Sequence, residues 1–528
     1  MQWREVAKRF PSLPGVVIAL LGFALRVYRR SPVWGSSDAA DLPRLVDHLL
    51  CRPGSVVSDL GDLALYRLGG VQPVLLYLQM SVLRLLGVRV GEFLWDLPEL
   101  LAGTAAIYVA YLLGRQLATR SAGVTAAALI AVSPMAIMQS RHSGAPWMFE
   151  ELLQLVILLL SLKLVEAPTP RLRVGFHLAL ACYFWAGNQM LGIVPVVAYA
   201  VACVVFAEKD AVRRALLRHF GGWTLVVPVA SLLVLLYLTF ALRIGHLAHA
   251  LFAKKHHPGF YFAHWLDDMA VDVGPAITWM ALSVLVLWTL SEKGLLTPAR
   301  SLLVLFVAYA LPFWVLIPPH STLTRGYITY GLHALLLVLA VGAARLRLPL
   351  AARLSLPVLA GVILLCESSQ SVFRVFSSEL IGVKGFQGSF IPNSGVKSAA
   401  GWIRKQPHSE GRVFSDASGG SGLEPPLMAM YFRLPYLAEF DASSPSHPYK
   451  VFARRKDEID YLVIEPGNRP LVDRFFGEDF KEAARIKDGK EQLLTVFARQ
   501  HQGGVEDVDV AQGDRDFGRS FSLLCGGP

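Results

Sequence analysis

Between Pro14 and Cys366 the chain returns repeatedly to apolar runs long enough to cross a lipid bilayer. A hydrocarbon core about 30 Å thick takes ~20 helical residues, and inside it every backbone N–H and C=O must be paired within the chain. Such runs therefore fold as helices packed side by side. Runs near 14–30, 92–114, 121–138, 147–165, 172–187, 189–207, 223–243, 275–291, 300–317, 326–343 and 350–366 fit, about eleven in all. The expected class is a polytopic α-helical membrane protein. Hydrophobic residues at 54% and charged residues at 17% of 528 agree with it.

Loop charge sets the orientation. The stretch Val71–Val90 is apolar but carries Gln72, Gln79, Arg84 and Arg89, so it reads as either a span or a surface helix. If it lies on the surface, the basic loops Arg115–Arg120, Arg171–Arg173, Lys209–Arg218, Lys293–Arg300 and Arg345–Arg353 all fall on one side with the N-terminus. That is the cytoplasmic side by the positive-inside rule. The net charge of +10 is thus a topology signal, and nucleic acid is not expected as a partner. Arg26, Arg29 and Arg30 follow the first apolar run where a cleavage site would need small residues, which predicts an uncleaved first span. The segments 31–91, 139–146, 246–274 and 318–325, and everything after Glu367, then lie outside.

After Glu367 the composition changes. Short apolar strands near 412–416, 435–440, 462–465 and 492–497 alternate with helical stretches near Trp402 and 426–432. They predict a small extracytoplasmic α/β domain of about 120 residues. The division expected is 1–367 for the membrane domain with juxtamembrane helices at 36–91, 368–500 for the soluble domain, and 501–528 for a disordered Gly- and Asp-rich tail. The five cysteines show no metal-ligand spacing; Cys51 and Cys525 both lie outside the membrane, where a disulfide between them is open.

Residues able to do chemistry collect in the outside segments. Asp38 and Asp41 precede Pro43, and Leu45, Val46, Leu49 and Leu50 then recur at helical spacing on a short surface helix. Either acid suits a general base, or the two a shared metal ion; the same residues ahead of a proline also suit a helix N-cap. Arg44 and His48 lie beside them, with Asp47 set to face water or pair with Arg44. Glu150 and Glu151 open a span just after Arg141, where the helix dipole favours acids and membrane depth makes them costly. Lys254, Lys255, His256 and His257 precede the aromatic run Phe260–Phe262 and Trp265, an arrangement that suits either a phosphate clamp at headgroup level or adhesion to anionic lipid. His320 and Arg325, ahead of Tyr327, form a smaller group of the same kind. Gly-rich phosphate loops, paired CxxC motifs and a GxSxG elbow are absent from the sequence.

In order, these features resemble the GT-C-type membrane glycosyltransferases of family 39, which include protein O-mannosyltransferases and lipid A aminoarabinose transferases. The resemblance runs from the acidic motif at Asp38–Leu50 through Gly70-Val-Gln-Pro-Val-Leu-Leu-Tyr-Leu78, Leu97-Pro-Glu-Leu-Leu-Ala-Gly103 and Tyr111–Arg115 to Glu150 and Arg325-Gly-Tyr327. It covers residues 14–343. It implies inverting transfer of a sugar from a polyprenyl-phosphate donor to an acceptor hydroxyl on a protein, lipid or glycan, at the outer face of a bacterial inner membrane. The first-loop acid, Asp38 or Asp41, would be the base. Arg44, Gln72, Arg141, Glu150, the Lys254–His257 cluster, Arg325 and Tyr327 would bind substrate. The relatives divide on whether a divalent cation is required, so the resemblance assigns no metal ligand.

The chain also departs from the pattern. The family's Asp-Glu pair is Asp38-Ala39 here, and its lysine ahead of a double proline is Gln72, followed by Pro73 and Val74. The relatives' lysine near the sixth span is replaced by Asn188 or Gln189. A lipid-linked-sugar carrier without transfer chemistry, and a degenerate scaffold, stay open beside the enzyme reading.

Overall fold

The computed structural model describes residues 12–27, 37–51, 71–88, 92–140, 147–166, 169–186, 222–241, 275–292, 332–346, 349–366, 395–407, 413–415, 456–499 and 503–510, with isolated positions between them. The runs expected at 189–207 and 300–317, and the C-terminal elements at 426–432 and 435–440, lie outside these residues. The chain folds into two compact units.

The first unit comprises residues 1–30, 54–78 and 96–377. Its helices are α1 (Leu13–Val27), then, after α2 (Ser37–Cys51) of the second unit, the first half of α3 (Val71–Leu85) and most of α4 (Glu92–Leu117). There follow α5 (Arg120–Val132), α6 (Pro134–Gln139), α7 (Trp147–Glu166), α8 (Pro170–Phe184), α9 (Val226–Phe240), α10 (Pro275–Ser291), α11 (Leu332–Arg345) and α12 (Leu350–Cys366). Helix therefore occupies each described run where a span was expected. Among the described residues one helix, Phe93–Leu117, is long and apolar enough to cross a membrane by itself; seven shorter apolar helices have 10–17 residues, and the 20-residue α7 carries Glu150, Glu151, Lys163 and Glu166. The run at 121–138 is split at Ser133, because Pro134 disfavours helical backbone in the residue before it.

Packing in this unit is by apolar faces and small residues. α5 lies against α1, α11 and α12, α11 against α10, and α8 against α7 and α9. Phe176, Leu180, Tyr183, Leu164 and Leu235 form the core of that last group. Where α4 meets α5, a Cβ on Gly114 would come within 2.8 Å of the Gly123 Cα, so only glycine permits that backbone approach. Polar groups fix the helix ends. Thr119 and Thr169 accept hydrogen bonds from Ala122 N and Leu172 N and so cap α5 and α8. At the far end of α4, Arg345 Nε and Nη2 both donate to the Leu117 carbonyl, at 2.8 and 2.6 Å. A guanidinium there satisfies a carbonyl with no helical partner and sits at the negative end of the helix dipole.

The second unit comprises residues 31–53, 79–95 and 378–528. The juxtamembrane segments 31–53 and 79–95, expected to belong with the spans, thus group with the C-terminal residues. Amphipathic α2 explains part of this: Leu42, Val46 and Leu49 are buried on one face, and Arg84 donates to the Leu50 carbonyl. The C-terminal part holds α13 (Val396–Ile403), β1 (Val413–Ser415), β2 (Tyr461–Ile464), α14 (Arg469–Phe475), β3 (Lys481–Asp488), β4 (Glu491–Ala498) and β5 (Glu506–Asp509). The strands form one mixed sheet in the order β1-β2-β4-β3-β5. β1 runs parallel to β2, β2 and β3 antiparallel to β4, and β5 parallel to β3. Phe414, Leu462, Ile464, Val472, Phe476, Phe480 and Phe497 make the core. Gly489, at φ +58°, opens the two-residue loop that joins β3 to β4, a position that favours glycine.

The tail from residue 501 was expected to be disordered, and β5 corrects that at Glu506–Asp509. Its acidic residues are exposed, but two of them reach partners on neighbouring elements. Lys487 Nζ lies 2.5 Å from Asp507 Oδ2, and Trp402 Nε1 donates to Glu506 Oε2 at 2.7 Å. The Ser398 hydroxyl donates to the Val510 carbonyl, which fastens the end of the strand to α13. Composition signals disorder only while such charges stay unpaired.

Candidate active site

α2 starts at Ser37, six residues earlier than the pattern from Pro43 suggests, and Pro43 lies inside it. Asp38 and Asp41 are therefore in its first turns rather than ahead of it as caps. Acids there favour the positive end of the helix. Helical periodicity puts position 38 in the row of Leu42 and Leu49, and position 41 in the row of His48. Arg44 lies on the same helix. The opposite end of α2 is held by Arg84 and by Cys51, which is disulfide-bonded. Gln79 Nε2 donates to the Leu94 carbonyl at 2.5 Å and ties α3 to the start of α4.

In the first unit, Gln72 is buried at the start of α3, and Val71 N donates to the Trp185 carbonyl at 2.9 Å. Further along the helix, the buried Tyr77 hydroxyl donates to Asp59 Oδ2 at 3.0 Å. Glu150 is buried in the first turn of α7. Arg141, Lys254, Lys255, His256, His257, Arg325 and Tyr327 lie outside the described residues. Of the expected site residues, then, the structure places Asp38, Asp41 and Arg44 on one helix, and Gln72 and Glu150 within the first unit.

Around Glu150 lies a group that the sequence pattern does not assemble. Arg26 on α1 is fully buried; its Nε donates to Ser140 Oγ at 2.9 Å and its Nη1 to the Gly22 carbonyl at 3.1 Å. Glu99 on α4 is equally buried, and its Oε2 accepts from Met148 N at 3.1 Å. A carboxylate from another helix thus satisfies an amide at the start of α7, where the helix dipole favours negative charge. Glu151 on α7 and His333 on α11 are paired through Oε2 and Nδ1, both buried. A signal for these residues is present in the sequence: Arg26, Glu99 and His333 interrupt apolar helices, and ionisable groups at membrane depth are rarely idle. Searching loops for chemistry and helices for topology passes over them. Among the described residues no three His, Cys, Asp or Glu side chains are grouped to hold a metal ion.

No protein-family model matches the chain, and no curated protein matches its sequence. Solved structures do match its fold. ArnT from Cupriavidus metallidurans in the apo state superposes with TM-score 0.59 at 14% identity, over 94% of this chain and 98% of that one. The same protein bound to undecaprenyl phosphate gives 0.55 at 15%, over 92% and 98%. The apo oligosaccharyltransferase of Archaeoglobus fulgidus gives 0.55 at 13%, over 96% and 76%. The fold is that of the GT-C membrane glycosyltransferases. That archaeal GT-C enzyme has also been solved with dolichol-phosphate and an inhibitory peptide. The GT-C neighbours are integral membrane proteins that bind polyprenyl phosphates, in agreement with the helical, strongly apolar first unit.

Proposed function

We propose that the chain transfers a sugar from a polyprenyl-phosphate donor to an acceptor hydroxyl at the outer face of the membrane. The observation that carries the reading is the fold match to ArnT over almost the whole of both chains, in apo form and with undecaprenyl phosphate bound. The acids at the start of α2 supply the chemistry that such a reaction needs. Asp38, in the Leu42–Leu49 row of α2, is the preferred base, with Asp41 one turn away.

In this reaction the carboxylate takes the proton of the acceptor hydroxyl as its oxygen attacks the anomeric carbon. The bond from that carbon to the phosphate oxygen breaks from the opposite side, so configuration inverts and polyprenyl phosphate leaves. The leaving group becomes more negative as the bond breaks, and fixed positive charge stabilises it most at that moment. Lys254, Lys255, His256, His257, Arg141 and Arg325 supply that charge in this scheme, with the Tyr327 hydroxyl as a further donor. Arg44 and Glu150 bind the sugar and acceptor, and Gln72 gives a neutral donor where relatives have a lysine.

Replacing both Asp38 and Asp41 by Asn tests the proposal in membranes that contain the chain and a polyprenyl-phosphoryl sugar. Transfer falls at least ~100-fold, the size of a general-base contribution, while membrane insertion and thermal stability are kept. Full activity in the folded double variant refutes the mechanism.

A further inference from the structure

Glu99 has no part in the transfer scheme above, yet it is fully buried in the apolar first unit. It follows Pro98 inside α4, and its Oε2 accepts from Met148 N at 3.1 Å. Met148 is the second residue of α7. The Phe149 amide and the Glu150 carboxylate are near enough to act on Glu99 electrostatically. Glu99 Oε1 has no hydrogen-bond partner among the described residues, so the start of α7 is what orients this carboxylate. One turn further along α4, a Cβ on Gly103 would fall 3.1 Å from Met148 Sδ. α4 therefore meets Met148 twice, at its amide through Glu99 and at its side chain beside Gly103.

The start of α7 needs such a partner. The first amides of a helix have no acceptor within it, and in an apolar interior water does not stand in. A side chain just ahead of the helix usually supplies the acceptor. Here the residue before Trp147 is Pro146, whose ring carries no acceptor atom. The acid on α4 takes that place, and with it comes control of position. Beyond its first turn α7 buries Leu155, Ile157, Leu158 and Leu164 and packs on α8. Apolar contacts among membrane helices are weakly directional, and leucine rows can exchange by a rotation or by a slide of one turn, about 5.4 Å. The Glu99 hydrogen bond permits neither, because each movement would leave a carboxylate and an amide unpaired in an apolar interior.

We infer that Glu99 is a positioning residue for Glu150: by holding the first turn of α7 it fixes the height and rotation at which the Glu150 carboxylate meets the donor sugar. This role rests on the transferase reading above, in which Glu150 binds substrate. Glu150 is two residues past Met148, so a slip or turn of Met148 against α4 carries it along.

The test uses the full chain in proteoliposomes supplied with a polyprenyl-phosphoryl sugar and a membrane extract as acceptor source. Glu99→Leu removes the acceptor, whereas Glu99→Gln keeps an oxygen at the same reach. In Glu99→Leu the KM for the donor rises about tenfold or more with kcat little changed, the scale of a misplaced binding group. Glu99→Gln recovers KM to within about threefold, since a neutral acceptor is weaker than a charged one. In a Glu150→Gln background Glu99→Leu adds less than about twofold, because the group it positions is already gone. A second readout needs no activity. Hydrogen exchange within residues 147–151 speeds up about tenfold or more in Glu99→Leu and little in Glu99→Gln. Where Glu99→Leu is too unstable to purify, Glu99→Asp, one methylene short of Met148, gives the same pattern. Wild-type donor KM in folded Glu99→Leu or Glu99→Asp overturns the inference. So does Glu99→Gln as impaired as Glu99→Leu, or an effect that persists undiminished in the Glu150→Gln background. If the wild-type chain shows no transfer but exchange at 147–151 still depends on an acceptor at position 99, the hold on α7 stands and the transferase reading alone fails.

Discussion

The contact that holds Arg26 in place is open to a single added methyl group. Gly103 lies where α4 passes α1 and the start of α7. A Cβ built there would fall 2.2 Å from Ser140 Oγ and 3.1 Å from both Arg26 Nε and Met148 Sδ. The first two of these atoms are the partners of the 2.9 Å hydrogen bond, and the third belongs to the residue whose amide Glu99 accepts. Gly103→Ala therefore forces Ser140 away from Arg26. Overpacking costs about 1–3 kcal/mol. Loss of a hydrogen bond to a charged group costs about 1.5–3 kcal/mol. Alanine returns about 1 kcal/mol through its helix propensity, which leaves a net loss of about 1.5–5 kcal/mol. The control is Gly175→Ala in α8, where the nearest atom to a new Cβ is Leu160 Cδ1 at 3.9 Å. Propensity alone acts there, and the variant gains up to about 1 kcal/mol. Reversible unfolding in mixed detergent micelles, followed by tryptophan fluorescence, compares the two. Adding Ser140→Ala to Gly103→Ala removes the closest obstructing atom and recovers part of the loss. A Gly103→Ala protein as stable as the Gly175→Ala control refutes the packing and the role assigned to Arg26.

Other consequences follow from single contacts. Arg345→Gln removes both donors from the Leu117 carbonyl at the end of α4; the same unfolding assay reads a loss of about 1.5–3 kcal/mol, and Arg345→Lys recovers part of it. Leu42→Ala empties a fully buried position on α2 and costs about 2–5 kcal/mol, read as faster proteolysis and hydrogen exchange within residues 37–51. In β3, burial, and after it the nearby Asp509 and Glu491 charges, hold the Asp488 carboxyl above its ordinary range. The folded state then binds the proton more tightly than the unfolded chain, so this group's contribution to stability is fully present at low pH and is lost as pH rises through the raised value. Asp488→Asn removes that cost: hydrogen exchange in β3 and β4 slows at pH 7 and is unchanged well below about pH 3.9, where the acid is protonated in either state.

Much of the helical scaffold is legible in the sequence because each described apolar run became helix. Hydropathy does not show where those helices stop. Ser133-Pro134 breaks one run, and residues 350–366 stay helical through Pro357. β3 escapes notice because Lys481, Glu482, Arg485, Lys487 and Asp488 obscure its alternation; its inward residues, Ala484 and Ile486, become visible only once β4 pairs with it. β5 is missed for a similar reason, since Asp507 pairs with Lys487 and Glu506 accepts from Trp402, both on other elements. At the site, Asp38, Asp41 and Glu150 stand out because acids beside apolar runs are conspicuous. Arg26, Glu99, Glu151 and His333 acquire meaning through partners on other helices. Spacing along the chain carries no record of those pairings.

The measurement closest to the central claim follows the fate of the lipid carrier. Purified chain in sealed proteoliposomes is given a polyprenyl-phosphoryl sugar carrying label in both lipid and sugar, together with a membrane extract as acceptor source, and the lipids are resolved by mass spectrometry. Transfer predicts that free polyprenyl phosphate accumulates in step with labelled sugar on an acceptor, and that Asp38→Asn with Asp41→Asn stops both. Intact donor moving across the bilayer, with no polyprenyl phosphate released, would contradict the account and establish a carrier in its place.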